Sequence, residues 1–598
     1  VTGIGGLGKS SVAGRAMTRL KEDGWAVAAV QGRISLSTIC PAVGEALRGS
    51  HLDPHAVAAL ASRQTADEVR EPLLLAVLRQ GRLCLVLDNF EDNLTHEGAW
   101  ANDSARDLAE KLFCNTEVAA LLITSRYPVP GAAKWLEPIP LPPLSPAETR
   151  KLIHRLPAMK SLTQSEYDAI QRRIGGHPRM LEFLDAVMRQ GKGRFGHVME
   201  RIAKKAREAG VDLSAPVADL DDGVRRTLEI GARDVFLDEL LAIARASGDE
   251  EALLQAAVSA LPIEVPDLAR ALHGRAPSAA EVSALRASAA RLRDLSLLEL
   301  VEDICWVHRW TAEALKARVS EAAHRERCAR VGALRAWRVE HVSHALEDGI
   351  EAARSYLEAR DYENAAQWTD QVLAALARFR QLPTVVAFAR EVLATFPRQG
   401  RDFAAIADAE ANALIALGET SAAMKRAEEV HAALVEQARD EPDRADYQRD
   451  LSVSYSKMGD LFRALGQGEN ARKAFQQSLE IAEKLARAEP DRADYQRDLS
   501  VSYNKMGDLC LSEGRVEAAR TFFEKDLAIA ERLAAAEPDR ADYQVDLAIS
   551  FGVIARLSDP PDRVIARRGA AILSDLERTG RLQPSDLQRL AWIRELAR

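Results

Sequence analysis

The chain has 598 residues, 47% of them apolar and 28% charged, which describes an ordinary globular protein long enough for several domains. A net charge of −9 leaves no electrostatic footprint for nucleic acid, and no apolar run approaches the roughly 18 residues of a membrane span. The six cysteines are scattered without a C-x-x-C pair, which argues against a disulfide framework or zinc site and for reduced thiols in a cytoplasmic protein.

The chain opens VTGIGGLGKSS and fits G-x-x-x-x-G-K-[ST] through Gly3, Gly8, Lys9 and Ser10, with Gly5 and Gly6 inside the loop and Ser11 after it. Glycines let consecutive N–H groups curl toward phosphate oxygens, Lys9 is placed to reach the β- and γ-phosphates, and the Ser10 hydroxyl is a Mg²⁺ ligand. The helical pattern that follows adds its N-terminal dipole to this anion site. The strand expected before such a loop is reduced to Val1 and Thr2, and no Met precedes it. The expectation is a fragment whose upstream portion is missing.

Strand-like runs then recur at 25–33, 81–92, 118–127 and 135–141, separated by helical patterns. This alternation predicts an α/β domain with a parallel sheet covered on both faces. The second run, GRLCLVLDNFED, ends in Asp88, 79 residues after Lys9. A carboxylate at the C-terminal edge of a buried strand is placed to hold Mg²⁺ through water. Asn89 beside it is no base, whereas Glu91 is one candidate, so any ATPase is expected to be slow. Arg126 closes the third run, where a guanidinium can read a terminal phosphate. Two capping boxes follow, at Ser145/Glu148 and Thr163/Glu166. Gly175 and Gly176 then stop a helix and Pro178 starts the next.

GIGGLGKSS, LVLDNFED, LLITSRY, LPPLSPAE and GGHPRMLEFL, in this order, resemble the STAND nucleotide switches, most closely their NB-ARC (apoptotic-ATPase) branch. The resemblance covers roughly residues 1–320. It implies ATP/ADP and Mg²⁺ as cofactors, with Arg126 on the terminal phosphate and Gly176 and Pro178 near the adenine. It also implies a winged helix whose histidine touches the ADP β-phosphate, which VHRWTAEAL assigns to His308. Two departures stand out: GGHP, where relatives often have G-L-P, and Val-His-Arg in place of Met-His-Asp. Trp306 and Trp310 read as helical core.

The C-terminal half repeats itself. EPDRADYQRDLSVSYSKMGDL starts at Glu441 and returns at Glu489 with only Ser456 changed to Asn504, and a shorter copy starts at Glu537. The period is 48 residues. Inside it lies a tetratricopeptide (TPR) pattern: Tyr455, Met458, Gly459, Phe462, Ala471, Phe475 and Ser478, then Tyr503, Met506, Gly507, Cys510, Ala519, Phe523 and Asp526. Gly459 and Gly507 are small where two helices cross closely, while Tyr455 and Phe475 are expected to fill the groove to the next pair. The long second helix resembles the kinesin light chain variant. Gly418 and Ala423 stand one period earlier, and 356–368 is a weaker copy.

The expected order is a P-loop domain (1–144), a helical subdomain (145–212), a winged-helix-like region (213–345), degenerate repeats (346–440), the 48-residue TPR repeats (441–558) and a helical cap (559–598). The expected function is an ATP/ADP signalling switch whose repeats bind a protein or peptide and whose ATP state forms a homo-oligomer. Two alternatives stay open: a repeat scaffold with a vestigial nucleotide domain, and an ATP-dependent transcriptional regulator whose DNA-binding part lies elsewhere.

Overall fold

The computed structural model describes residues 1–3, 5–95, 97–191, 194–208, 222–558, 560–583 and 586–598; the domain border expected at 212/213 lies outside them. Helices dominate, and the chain divides into two compact units, Val1–Phe396 and Pro397–Arg598.

In the first unit β1 (Ala26–Gln31), β2 (Leu83–Asp88) and β3 (Ala120–Ile123) form a parallel sheet in that order. Leu83, Leu85 and Leu87 point into a core with Ile39, Leu60 and Phe113, while Cys84 and Val86 meet Ala13 of the helix Lys9–Glu22. An apolar run without polar alternation is what a strand buried on both faces requires. The first two residues continue this sheet. Ser125 N–H donates to the Val1 carbonyl (3.0 Å), Thr2 N–H to Ile139 O (2.9 Å) and Leu141 N–H to Thr2 O (2.7 Å). The strand expected over 135–141 is only a bridge at Pro140, because Pro138, Pro140, Pro142 and Pro143 have no N–H to give a ladder.

Both expected capping boxes form: Ser145 N–H donates to Glu148 (2.9 Å) and Thr163 N–H to Glu166 (2.7 Å). Further along, β4 (Ile263–Glu264), β5 (Glu299–Val301) and β6 (Ile304–Trp306) make a small antiparallel sheet, order β4-β6-β5. One hydrophobic core joins this sheet to the helices before it, and Phe183, Phe236, Leu292 and Trp310 all belong to it. Helices Glu321–His341, Leu346–Ala359, Tyr362–Arg378 and Leu382–Leu393 complete the unit. Glu391 of the last helix pairs with Arg354 (2.7 Å) and with Arg33, two residues beyond β1.

The second unit is a run of helical hairpins. Helices Ala445–Ala464 and Gly468–Ala488 recur as Ala493–Ser512 and Val516–Ala536, then as Ala541–Arg556 and Arg563–Arg578. A Cβ on Gly459 would lie 2.5 Å from Phe475, and one on Gly507 2.5 Å from Phe523, so the small residue is required by the aromatic of its own hairpin. Phe475 also reaches Met506 and Leu509 of the next hairpin. Tyr455 faces backward onto His431, ring centroids 4.4 Å apart, and not forward as expected. Gly418, Gly466 and Gly514 are the 48-spaced turn residues, each with positive φ (79°, 73° and 75°).

Polar contacts repeat with the same period. Arg449 reaches Asp498, and Arg497 reaches Asp546 (2.6 Å), each Arg pairing with the Asp of the following repeat. In the D-R-A-D-Y turns Arg444, Arg492 and Arg540 lie over Tyr447, Tyr495 and Tyr543 at 4.1, 4.0 and 4.0 Å. The one change inside the duplicated block has a partner. Asn504 Nδ2 donates to Asp526 (3.3 Å), and Asp526 stands where the preceding repeat has Ser478. Ser500 and Ser550 also donate to this buried carboxylate.

Burial pushes the Asp526 carboxyl up to about 6, against the hydrogen bonds from Ser500 and Ser550. Its folded pKa lies above its unfolded one, so its contribution is present at acid pH and is lost as pH rises from about 4 to about 6. Asp526→Asn is expected to remove that loss and to raise stability at pH 7 by up to about 3 kcal/mol over its effect at pH 4. Urea denaturation of both proteins at the two pH values measures it; an unchanged difference would refute the assignment.

Candidate functional site

The glycine-rich loop leaves the sheet at Thr2 and enters the helix Lys9–Glu22 through Gly8, whose φ of 91° only glycine adopts without strain. The N-cap residue of that helix is Gly8, which has no side chain to cap it, so the positive end of the helix dipole faces the loop. Lys9 is buried, and its Nζ donates back to the Gly3 carbonyl at 2.7 Å. Burial depresses its pKa, with Glu91 opposing and Arg126 adding to the effect. Ser10 Oγ donates to Asp88 Oδ1 at 2.9 Å, so the hydroxyl and carboxylate meet across the sheet edge although 78 residues separate them. Thr124 also donates to Asp88, and Asn89 N–H donates to Thr124 Oγ1 (3.1 Å). Ser11 is exposed on the first turn and has no part in these contacts.

Glu91 and Arg126 are brought together. Arg126 Nε lies 3.1 Å from Glu91 Oε1, and its backbone N–H donates to Glu91 Oε2 (3.3 Å). The other edge of the guanidinium is taken by Glu313 in two parallel bonds of 2.9 Å. Glu313 belongs to the helix Arg309–Lys316, which follows the antiparallel sheet. Arg309 on the same helix pairs with Asp92, beside Glu91. Bidentate pairing of this kind is the strong, geometrically specific form of the Arg–carboxylate bond.

His177 answers the GGHP departure. It caps the helix Pro178–Arg189, Nδ1 accepting from Met180 N–H (3.4 Å), while Nε2 donates to the Gly5 carbonyl (3.0 Å). Those partners define a neutral ring with its proton on Nε2. The ring stacks on Trp310, centroids 4.9 Å apart, and the two aromatics lie against the loop. A Cβ on Gly5 would come 2.7 Å from Trp310, and one on Gly6 2.6 Å from His177. Gly176 is pinned separately: a Cβ there would meet Leu144 O at 1.9 Å. Pro178 opens its helix between His177 and Arg179, both of which lie against Gly6.

His308 caps the helix Arg309–Lys316, its Nδ1 accepting from Trp310 N–H (3.3 Å). Burial, followed by the charges of Arg179, Lys9 and Arg126, pushes it down to about 4, and burial brings His177 to about the same value. His308 therefore shares a positive neighbourhood with Lys9 and Arg126, 182 residues from the nearer of them along the chain. Sequence reasoning missed Trp310 and Glu313. Trp310 reads as an ordinary core residue, and no local pattern marks Glu313 as the partner of an arginine 187 residues away.

Residues 453–485 match the tetratricopeptide repeat family model. No curated protein matches the chain. Among solved structures, one similar chain is a signal transduction ATPase with numerous domains (STAND) that carries a tetratricopeptide repeat sensor, from Pyrococcus horikoshii. It is 13% identical, the match covers 97% of this chain and 86% of that one, and the TM-score is 0.38. Another is BtubC (BKLC) from P. vanneervenii, 18% identical over 39% of this chain and 92% of that one, TM-score 0.30. Residues 453–485 thus carry a tetratricopeptide repeat, within a mostly helical chain whose small parallel sheet lies near the N-terminus. No described helix is long and apolar enough to cross a membrane.

Both site histidines are held neutral, so stability is present above about pH 6.5 and lost as pH falls toward 4. His177→Asn keeps a capping side chain with an N–H for Gly5 O and cannot titrate. The expected outcome, read by Trp fluorescence during denaturation, is a loss between pH 7 and 5 smaller by about 2 kcal/mol than in the wild type; an identical loss would count against the neutral ring.

Proposed function

We propose that the chain is a nucleotide-dependent switch that holds ATP or ADP with Mg²⁺ at the glycine-rich loop and binds a protein or peptide on its repeats. The observation that carries this is the Ser10–Asp88 hydrogen bond, which sets a hydroxyl and a carboxylate beside Lys9 at an uncapped helix start. This donor set fits the group. Lys9 would release the Gly3 carbonyl to take a phosphate oxygen, Ser10 and Asp88 would hold the metal, and the first helical N–H groups would take the remaining phosphate charge. The bound metal supplies charge neutralisation across the phosphates.

Arg126 gives the switch its two arms. Both edges of its guanidinium are occupied, by Glu91 and by the bidentate Glu313. It can read a terminal phosphate only by letting Glu313 go, and Glu313 is fixed to the helix that also lays Trp310 on the loop. A triphosphate and the Glu313 contact therefore compete for one cation, which is the differential interaction a two-state equilibrium needs. His308, which caps the helix that carries Glu313 and feels the charge of Lys9, would contact the diphosphate on the closed side of that competition. Glu91, paired with Arg126, becomes available as a base for water only in the arm where Arg126 has turned away, consistent with slow hydrolysis. The homo-oligomer belongs to the open, ATP-bound arm.

The test is calorimetry of the full chain with Mg²⁺–ADP and Mg²⁺–ATP. Wild type is expected to bind both, and Lys9→Ala neither; no binding by the wild type would overturn the proposal. Glu313→Gln is expected to shift preference from ADP toward ATP by on the order of tenfold. An unchanged ratio would remove Glu313 from the mechanism and leave the nucleotide site standing.

A further inference from the structure

The helix Glu321–His341 carries His324 and Cys328 one turn apart, on a face turned to the helix Leu346–Ala359. Glu358, in the last turn of that second helix, completes a cluster outside the nucleotide site. His324 Nε2 lies 2.9 Å from Glu358 Oε1 and 3.5 Å from Cys328 Sγ, and one donor atom from each residue lies within 4.8 Å of the others. Among the described residues it is the one such grouping of His, Cys and carboxylate side chains. From this arrangement the geometry points to a site for one zinc ion, ligated by His324 Nε2, Cys328 Sγ and the Glu358 carboxylate, with a fourth position open to water.

The donor set selects the metal. Imidazole, thiolate and carboxylate together suit a borderline-soft divalent ion, whereas magnesium and calcium take oxygen alone. Ligand atoms around a tetrahedral zinc lie roughly 3.3–3.7 Å apart, which follows from metal–ligand bonds of about 2.0–2.3 Å. The sulfur–nitrogen separation of 3.5 Å already meets that spacing, and the partly exposed carboxylate, 2.9 Å from the imidazole nitrogen and within 4.8 Å of the sulfur, is free to swing into the remaining position. Access is built in: His324 and Cys328 are buried, but Glu358 is 46% exposed and forms the mouth of the site. Binding must release the Cys328 proton, so uptake weakens as pH falls.

Lys316 now occupies the position a metal would compete for, since its ammonium pairs with Glu358. Lys316 ends the helix whose other residues include Trp310 and Glu313. A zinc ion on Glu358 would replace that ammonium as the carboxylate's partner and would join the helix Glu321–His341 to the one after it. The sequence masked this site because its three ligands come from two helices with no finger-like spacing.

The experiment uses the full chain, purified with chelator and then titrated with zinc or cobalt(II), so it reads metal and not nucleotide. Expected are one zinc per chain and, with cobalt, the near-ultraviolet thiolate-to-metal absorption band. Cys328→Ser and His324→Ala should abolish the band, while Cys114→Ser, at an exposed cysteine, should keep it. If Cys328→Ser fails to fold, a wild-type chain whose Cys114 alone has been alkylated must still give the band. Failure of the folded wild type to take up cobalt or zinc at micromolar concentration would overturn the site. So would a band that survives in a folded Cys328→Ser. Neither result bears on nucleotide binding, because none of the three ligands belongs to the loop.

Discussion

Two aromatic rings lie directly on the backbone of a glycine pair, and much of the first unit follows from that contact. Trp310 takes the space a Cβ would fill on Gly5, and His177 the space of one on Gly6. Gly6 has a second reason to be glycine, a φ of 82°. The loop is therefore shaped from two sides, by its own turn and by residues that arrive from 172 and 305 positions further on. Both arrivals are organised alike, since each is anchored where a histidine caps a helix through Nδ1. Burial keeps both rings neutral, which those caps require, because a protonated Nδ1 cannot accept.

Charge is arranged around the same helix. The eight residues Arg309–Lys316 send Trp310 to the loop, Glu313 to Arg126, Arg309 to Asp92 and Lys316 to Glu358. A short helix with commitments on several faces moves as a body or not at all, since shifting it breaks contacts with the loop and with the following helices together. Arg126 is the most demanding partner. Its guanidinium is only 21% exposed and is satisfied by carboxylates from two separate parts of the unit, so removing one leaves a largely buried charge under-compensated.

The second unit obeys a simpler rule. Nearly identical blocks placed 48 residues apart repeat their contacts, so the hairpins that start at Ala445 and Ala493 each close through the same glycine–phenylalanine crossing and reach the following repeat through the same Arg-to-Asp pair. The exception is instructive. Asn504 replaces Ser456 in an otherwise duplicated stretch, and it donates to Asp526, which replaces Ser478 one hairpin-length later. A buried carboxylate needs donors, and the neighbouring position supplies one.

Local chemistry was legible in the residues alone. Three of the four strand runs appear where apolar stretches predict them, both capping boxes form, and the 48-residue period reads directly off the chain, because each depends on neighbours within one or two turns. The fourth strand shrank to a bridge because prolines cannot donate to a ladder. Only the tertiary structure decided that Trp310 is more than core, that His177 bonds the loop, that Glu313 holds Arg126, and that His324, Cys328 and Glu358 converge. Those pairings join residues separated by tens to hundreds of positions. Which side chains meet is then set by how helices pack and not by any pattern a short stretch of chain can carry.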